Sequence, residues 1–408
     1  MSKRIVITGM GAVTPVGIGV SNYWKGLIEG KGGVGPITKF DAGDLAVQIA
    51  AEVPGFHPED FMSKKLVNHT DPFTQFALAA AKEALEDITI DNPERTGIVM
   101  GSAVGGITTI TQAQDNLTKT GNHRISPHFM PSILGNVTAS RVAIEYGLKG
   151  PSLTVSTACS SGADAIGIAS EKLMLGEADI MIGLGAECIL RPLVIDGLSS
   201  ARALSRNNDH PELASRPFDK DRDGFVIGEG AGVVVLETLE HAQQRGATIF
   251  GELIGYANIG SGYHITSPEP DGSSEIRCMQ KALKMADLDP SDIDYINAHG
   301  TSTPVGDPIE THAVKSVFGD YSKKIPISST KGATGHLMGA GGITEMIACL
   351  KAIEEGIVPP TINLKNNDPK CDLDYVPQEA RKVDVNIAMS NSFGFGGQNA
   401  SLIVKHFE

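Results

Sequence analysis

Short runs of apolar, β-favouring residues alternate along the chain with longer stretches whose apolar positions recur every three or four residues. The runs RIVITG (4–9), TGIVMG (96–101), LTVST (153–157), DIMIGLG (179–185), IDYINAHG (293–300), IPISST (325–330) and NIAMSNS (386–392) predict strands. They are continuously apolar rather than alternating, so they predict strands buried on both faces by helices, an α/β architecture. DPFTQFALAAAKEALED (71–87) predicts an amphipathic helix capped by Asp71, with Pro72 in its first position.

Two segments echo each other. SLTVSTACSSGADAIGIASEKLMLGEAD (152–179) is a strand, a Ser-Thr pair, a small-residue turn and a helix ending near Gly176. KIPISSTKGATGHLMGAGGITEMIACLKAIEEG (324–356) repeats that order and ends at Gly356. GEGAGVVVLETLEHA (228–242) and GFGGQNASLIVKHFE (394–408) are likewise each a glycine cluster followed by a strand. The echoes predict two related halves, 1–245 and 246–408, packed into one body. The first half is longer, with insertions expected around 105–140 and 190–225.

Composition narrows the function classes. The net charge of −14 argues against nucleic acid or an anionic membrane as the main partner. With 47 Gly, 1 Trp and 7 Tyr, the interior suits tight strand-to-helix packing better than base stacking. The 5 cysteines (Cys159, Cys188, Cys278, Cys349, Cys371) are scattered with no C-x-x-C pair, which predicts neither a disulfide framework nor a metal site. The apolar run after the basic start is too short for a signal peptide, and no stretch is long enough for a membrane helix, so a cytoplasmic protein is expected.

Several motifs fail on inspection. DKDRDG (219–224) opens like a calcium loop but would need Glu where Gly230 stands. GMGAVTPVG (9–17) lacks the third glycine of a dinucleotide fingerprint, and GKGG (30–33) lacks the spacing of a P-loop.

Cys159 is different, because it lies where a strand gives way to a helix. Unpaired N–H groups and the positive end of the helix dipole there predict a lowered thiol pKa and a usable nucleophile. The competing reading is a small apolar filler, since cysteine is among the most buried residue types. Partners come from NAHGTSTPVGDPIE (297–310), with His299 just after a strand, and SSTKGATGHLMGAGGITE (328–345), with Lys331, His336 and Glu345. SNSFGFGGQN (390–399) adds a glycine-rich loop around Phe395.

With RIVITGMGAVTPVG, DYINAHGTSTPVGD, SSTKGATGHLMGAGG and NSFGFGG in place, the chain resembles, over nearly its whole length, the condensing enzymes of the thiolase superfamily. The likeness is to the elongating β-ketoacyl-[acyl-carrier-protein] synthases (type II). The resemblance implies a duplicated five-layer α-β-α-β-α fold, a homodimer, and chain extension by decarboxylative Claisen condensation with malonyl-acyl carrier protein. No permanently bound cofactor is implied, because the substrates ride on the phosphopantetheine of acyl carrier protein.

Carried over by motif, Cys159 accepts the acyl chain, His299 and His336 stabilise the enolate, and Lys331 tunes the site. Phe395 gates it and supplies an oxyanion N–H together with Cys159. Thr301, Thr303, Thr266, Val104 and Glu345 form the expected substrate-binding set: the threonines along the pantetheine arm, Val104 shaping the acyl pocket, and Glu345 beside Lys331. Lys64, Lys65, Arg124 and Arg206 are expected to dock the acidic carrier.

Two departures stand out. Val104 replaces the usual Ile, predicting a roomier pocket, and Asn68 and His69 stand where Arg or Lys would extend the basic patch. They leave open a specialised type II polyketide or lipid pathway with its own carrier. A degradative thiolase would need a second cysteine in NSFGFGG. An initiating synthase would show Asn at His336, and a non-catalytic chain-length partner would lack Cys159.

Overall fold

The computed structural model describes residues 3–120 and 125–408. Its centre is a sheet of 11 strands, ten of which form one continuous path. In chain order these are β1 (Ile5–Thr14), β2 (Thr96–Gly101), β3 (Ser152–Val155), β4 (Ile180–Glu187) and β5 (Gly230–Thr238). The second set is β6 (Gly251–Gly260), β7 (Tyr295–Asn297), β8 (Ile327–Ser328), β9 (Ile387–Gly394) and β10 (Gln398–Lys405).

The spatial order is β8-β7-β9-β10-β6-β1-β5-β4-β2-β3. From the centre outward, each half therefore runs through its first, fifth, fourth, second and third strand. The pairing senses repeat as well. β2 is parallel to β3 and β4, as β7 is to β8 and β9. β5 is antiparallel to both its neighbours, as β10 is. The halves join where Ile5–Ile7 of β1 pairs antiparallel with 251–253 of β6.

The helices follow the same duplication. α2 (Ser161–Met174) and α5 (Gly341–Glu355) form the buried middle layer of a thiolase-like α-β-α-β-α arrangement. They meet through glycine: a Cβ on Gly342 would lie 2.5 Å from the Ala163 nitrogen. α1 (Pro72–Ala84) covers β1 from outside so closely that a Cβ on Gly11 would lie 2.0 Å from the Ala80 oxygen. Its start follows the sequence, with Pro72 at the first turn and the Asp71 carboxylate accepting the Phe73 N–H at 3.2 Å. α3 (Ser273–Ala286) and α4 (Gly306–Phe318) cover the second half.

β1, β4 and β5 are buried along their whole length, as their continuous apolar runs predict. β3 departs from that expectation. It is half-exposed, with Leu153 at 42% exposure, because it is the outermost strand and, among the described residues, pairs only with β2. The segments 107–146 and 188–229 lie within the first half, whereas β9 and β10 are joined by the short turn Phe395–Gly397. Among the described residues, no helix is long and apolar enough to cross a membrane.

Candidate active site

The chain leaves β3 and reverses through a 3₁₀ turn, Ala158–Ser160, before entering α2. Ala158 has φ +51°, a left-handed conformation that costs a non-glycine residue energy and here turns Cys159 toward the second half. Two hydroxyls pin the turn. Ser161 Oγ accepts the Thr157 N–H at 2.9 Å and donates to the Ala158 carbonyl at 2.7 Å. Ser160 Oγ reaches the Ser392 and Gln398 carbonyls at 2.9 and 2.6 Å, tying the nucleophile turn to β9 and β10.

His299 follows β7, and its main-chain N–H donates to Glu310 Oε1 at 2.8 Å while Gly300 N–H donates to Oε2 at 2.7 Å. His336 lies between the short helix Lys331–Thr334 and α5. The two imidazoles meet edge to face, with centroids 5.4 Å apart, and the donor atoms of Cys159, His299 and His336 all lie within 4.8 Å of one another.

Protonation follows from these contacts. Met338 N–H donates to His336 Nδ1 at 3.2 Å, so the ring hydrogen sits on Nε2, which is buried without a partner. Burial and the nearby Lys331 charge hold His336 well below the ordinary imidazole range; burial, Lys331 and His336 do the same for His299. Both rings are therefore neutral near pH 7. Lys331, itself buried, forms an ion pair with Glu345.

Cys159 corrects the expected lowered pKa. Burial pushes its thiol up to about 11, although the Phe395 N–H bond and Lys331 pull the other way. Desolvation of the charged form outweighs the helix start.

A cavity of about 260 Å³ opens onto Cys159, His299, His336 and Phe395, and its wall continues through Thr301 and Thr303 toward Thr266. Thr301 and Thr303 face each other at 3.2 Å between hydroxyl oxygens, and Thr266 is exposed. Phe395 sits on a loop that only glycine can build: Gly396 and Gly397 have φ +81° and +68°. Backbone bonds from Gly396 N–H to the Ile265 carbonyl (2.7 Å) and from Ser261 N–H to the Gly397 carbonyl (2.8 Å) join it to the loop carrying Thr266.

Not every expected residue reaches this cavity. Val104 is outside its lining and 45% exposed, because its loop lies beyond Cys159 near the sheet edge. Glu345 and Lys331 lie behind the histidines, so Glu345 acts on Lys331 and does not contact the cavity. Lys64, Lys65 and Arg206 are exposed, and Arg124 falls outside the described residues. Sequence reasoning missed Glu310, Phe393 and Asn399 in the wall, although all three lie within stretches that attracted notice. Nothing in the local pattern around Glu187 separates it from an ordinary strand end.

The chain matches known proteins over nearly its whole length. The N-terminal domain of Beta-ketoacyl synthase matches residues 2–242, and its C-terminal domain matches residues 250–365. The chain is 47% identical over 406 residues to 3-oxoacyl-[acyl-carrier-protein] synthase 2 of Coxiella burnetii, covering 98% of each chain. It is also 47% identical to the protein of that name in Synechocystis, covering 100% of this chain and 99% of the other. Among solved structures, it resembles a chain of a complex between a type II polyketide synthase acyl-carrier protein and its ketosynthase bound to the hexaketide. That match has a TM-score of 0.91 and 35% identity over all of both chains. The protein belongs to the β-ketoacyl synthase family.

Proposed function

We propose that the protein is a 3-oxoacyl-[acyl-carrier-protein] synthase that extends acyl chains on Cys159 by decarboxylative condensation with a malonyl group on acyl carrier protein. The carrying observation is the neutral His336 whose Nε2–H is buried and unpaired beside Cys159 and His299. A buried donor without a protein partner is poised for an oxygen that becomes negative during reaction.

In the first step the Cys159 thiol attacks the carrier thioester. Its acyl group moves to Sγ, the carrier leaves as a thiol, and the Phe395 N–H beside Sγ stabilises the tetrahedral oxyanion. In the second, malonyl thioester loses CO₂, and charge builds on its thioester oxygen, where the two imidazoles donate. The resulting carbanion attacks the acyl-Cys159 carbonyl. One proton is taken up as the β-ketoacyl carrier forms and the thiol returns. A thiol near 11 is protonated at rest, so its proton leaves Sγ as the carrier thioester is attacked and ends on the departing carrier thiol.

Thr301, Thr303 and Thr266 line the approach of the pantetheine arm. Lys64, Lys65, Arg124 and Arg206 offer positive charge to an acidic carrier on a chain of net charge −14. A homodimer is favoured by the open edge of β3 and the exposed Val104, Met130, Leu134 and Leu153 around it. These segments touch: a Cβ on Gly106 would lie 2.6 Å from Ile133 Cα, and one on Gly135 would lie 3.8 Å from Thr154. The halves 1–245 and 246–408 are proposed as the duplicated units, each supplying part of the site. The relatives' names favour fatty-acid elongation.

Intact-protein mass spectrometry after exposure to acyl carrier protein tests the assignment. Wild type gains one acyl group and Cys159→Ala gains none. An adduct in the mutant, or none on wild type, refutes it, and comparing a fatty-acid with a polyketide carrier decides the pathway.

A further inference from the structure

One buried carboxylate beside the site has no part in the chemistry above. Glu187 ends β4, is fully buried, and holds four neutral donors. Its Oε1 accepts Ser102 Oγ–H at 3.1 Å and Val104 N–H at 3.2 Å; its Oε2 accepts Ala103 N–H at 2.6 Å and Gly339 N–H at 3.1 Å. Three of the four donors are main-chain N–H groups, which cannot accept a carboxyl proton, so they favour the ionised form against burial, which raises this carboxyl.

We propose that Glu187 is a positioning residue that holds His336 and the Val104 loop in register with Cys159. This rests on the condensing reading above.

Two successive main-chain N–H groups tie His336 to Glu187. Met338 N–H donates to His336 Nδ1, and the next N–H, of Gly339, donates to Glu187. The Gly339 carbonyl is wedged between the nucleophile helix and β4, since a Cβ on either Gly162 or Gly185 would come within 2.8 Å of its oxygen. Gly339 itself has no room for a side chain: a Cβ would lie 2.7 Å from both Glu187 Oε2 and Ala103 N. If Gly339 swung off Glu187, the Met338 N–H would turn away from Nδ1. The ring hydrogen could then move to Nδ1, and Nε2 would cease to donate. The same carboxylate fixes Ala103 and Val104, so the 102–105 loop and the decarboxylation side share one anchor. The Cys159 turn has separate anchors in Ser160 and Ser161 and makes no direct hydrogen bond to Glu187, whose charge raises the thiol.

The test compares the half-reactions in Glu187→Gln. The amide nitrogen would meet the Ala103 and Gly339 N–H groups in one orientation and the Val104 N–H in the other, so at least one acceptor contact becomes a donor–donor clash whichever way it faces. Decarboxylation of malonyl carrier is expected to fall about tenfold or more, while acylation of Cys159 stays within about threefold. A readout that needs no substrate accompanies it. The pH profile of Cys159 alkylation by iodoacetamide moves to lower pH, because a nearby anion has gone.

Ser102→Ala is the milder variant, removing one donor and keeping the charge. It is expected to lower decarboxylation by a smaller factor and leave the alkylation profile in place. Should Glu187→Gln fail to fold, Ser102→Ala decides alone: decarboxylation lowered with acylation retained supports the role, and unchanged decarboxylation overturns it. Equal loss of both half-reactions in Glu187→Gln, or an unmoved alkylation profile, also overturns it. If wild type neither acylates nor decarboxylates, the condensing reading fails, and the alkylation profiles still report on Glu187.

Discussion

Replacing Gly397 by alanine probes how tightly the glycine-rich loop sets the site. Gly397 has φ +68°, where an L-residue costs about 1–2 kcal/mol. Its Cβ would lie 1.9 Å from Ser261 Oγ and 2.8 Å from Ser261 Cβ. Rotating Ser261 relieves the first contact but not the second, which needs about 1 Å of backbone separation to reach carbon–carbon contact distance. That movement breaks the Ser261 N–H bond to the Gly397 carbonyl, about 1 kcal/mol. The total of about 2–3 kcal/mol falls two residues from the Phe395 N–H that reaches Cys159 Sγ. A misplacement of about 1 Å in a reacting site costs on the order of 10²-fold. The condensing kcat of Gly397→Ala, measured with saturating acyl and malonyl carriers, should fall by roughly 10- to 100-fold. Adding Ser261→Gly removes the steric part but not the backbone part, so the double variant should recover part of that loss. A Gly397→Ala enzyme within about twofold of wild type, or no recovery in the double variant, would refute the reasoning.

Further outcomes follow from the buried charges and the surface. Burial lifts the Glu310 carboxyl to about 7 from an ordinary 4.5. The folded chain therefore holds a proton that the unfolded chain has released between those values, and stability falls as pH rises through that window. The contribution is at most about 3 kcal/mol. Urea unfolding at pH 5 and pH 7.5 should show a smaller decline for Glu310→Gln than for wild type. Lys331→Met leaves Glu345 buried without its partner and should destabilise the fold by about 3–5 kcal/mol, whereas Lys331→Met with Glu345→Leu should recover much of that in the same assay. Reversing the charge of Lys64 and Lys65 to Glu should lower kcat/KM for carrier substrates and weaken its salt dependence, with kcat at saturation little changed. Unaltered kinetics would place docking elsewhere.

Much of the architecture follows from the local pattern. Continuous apolar runs mark strands covered on both faces, and Asp71-Pro72 marks the start of α1. The 152–179 and 324–356 echo anticipates a fold whose halves repeat one strand order. Cys159, His299, Lys331, His336 and Phe395 are recognisable because each sits in a long motif at a strand or helix end. What the pattern leaves open depends on who the neighbours are. LTVST looks as buried as any other run, yet β3 is half-exposed because no described strand pairs with its outer edge. The start of α2 argues for an acidic thiol, yet burial drives Cys159 to about 11. Val104 lies outside the cavity, Glu345 sits behind Lys331, and Glu187 carries no local signature at all. Periodicity, capping and turn chemistry act over a few residues and can be read along the chain. Desolvation, edge exposure and the meeting of donors after β2 and before α5 on the Glu187 carboxylate of β4 are set by residues far apart in sequence. Only the packed tertiary structure decides those.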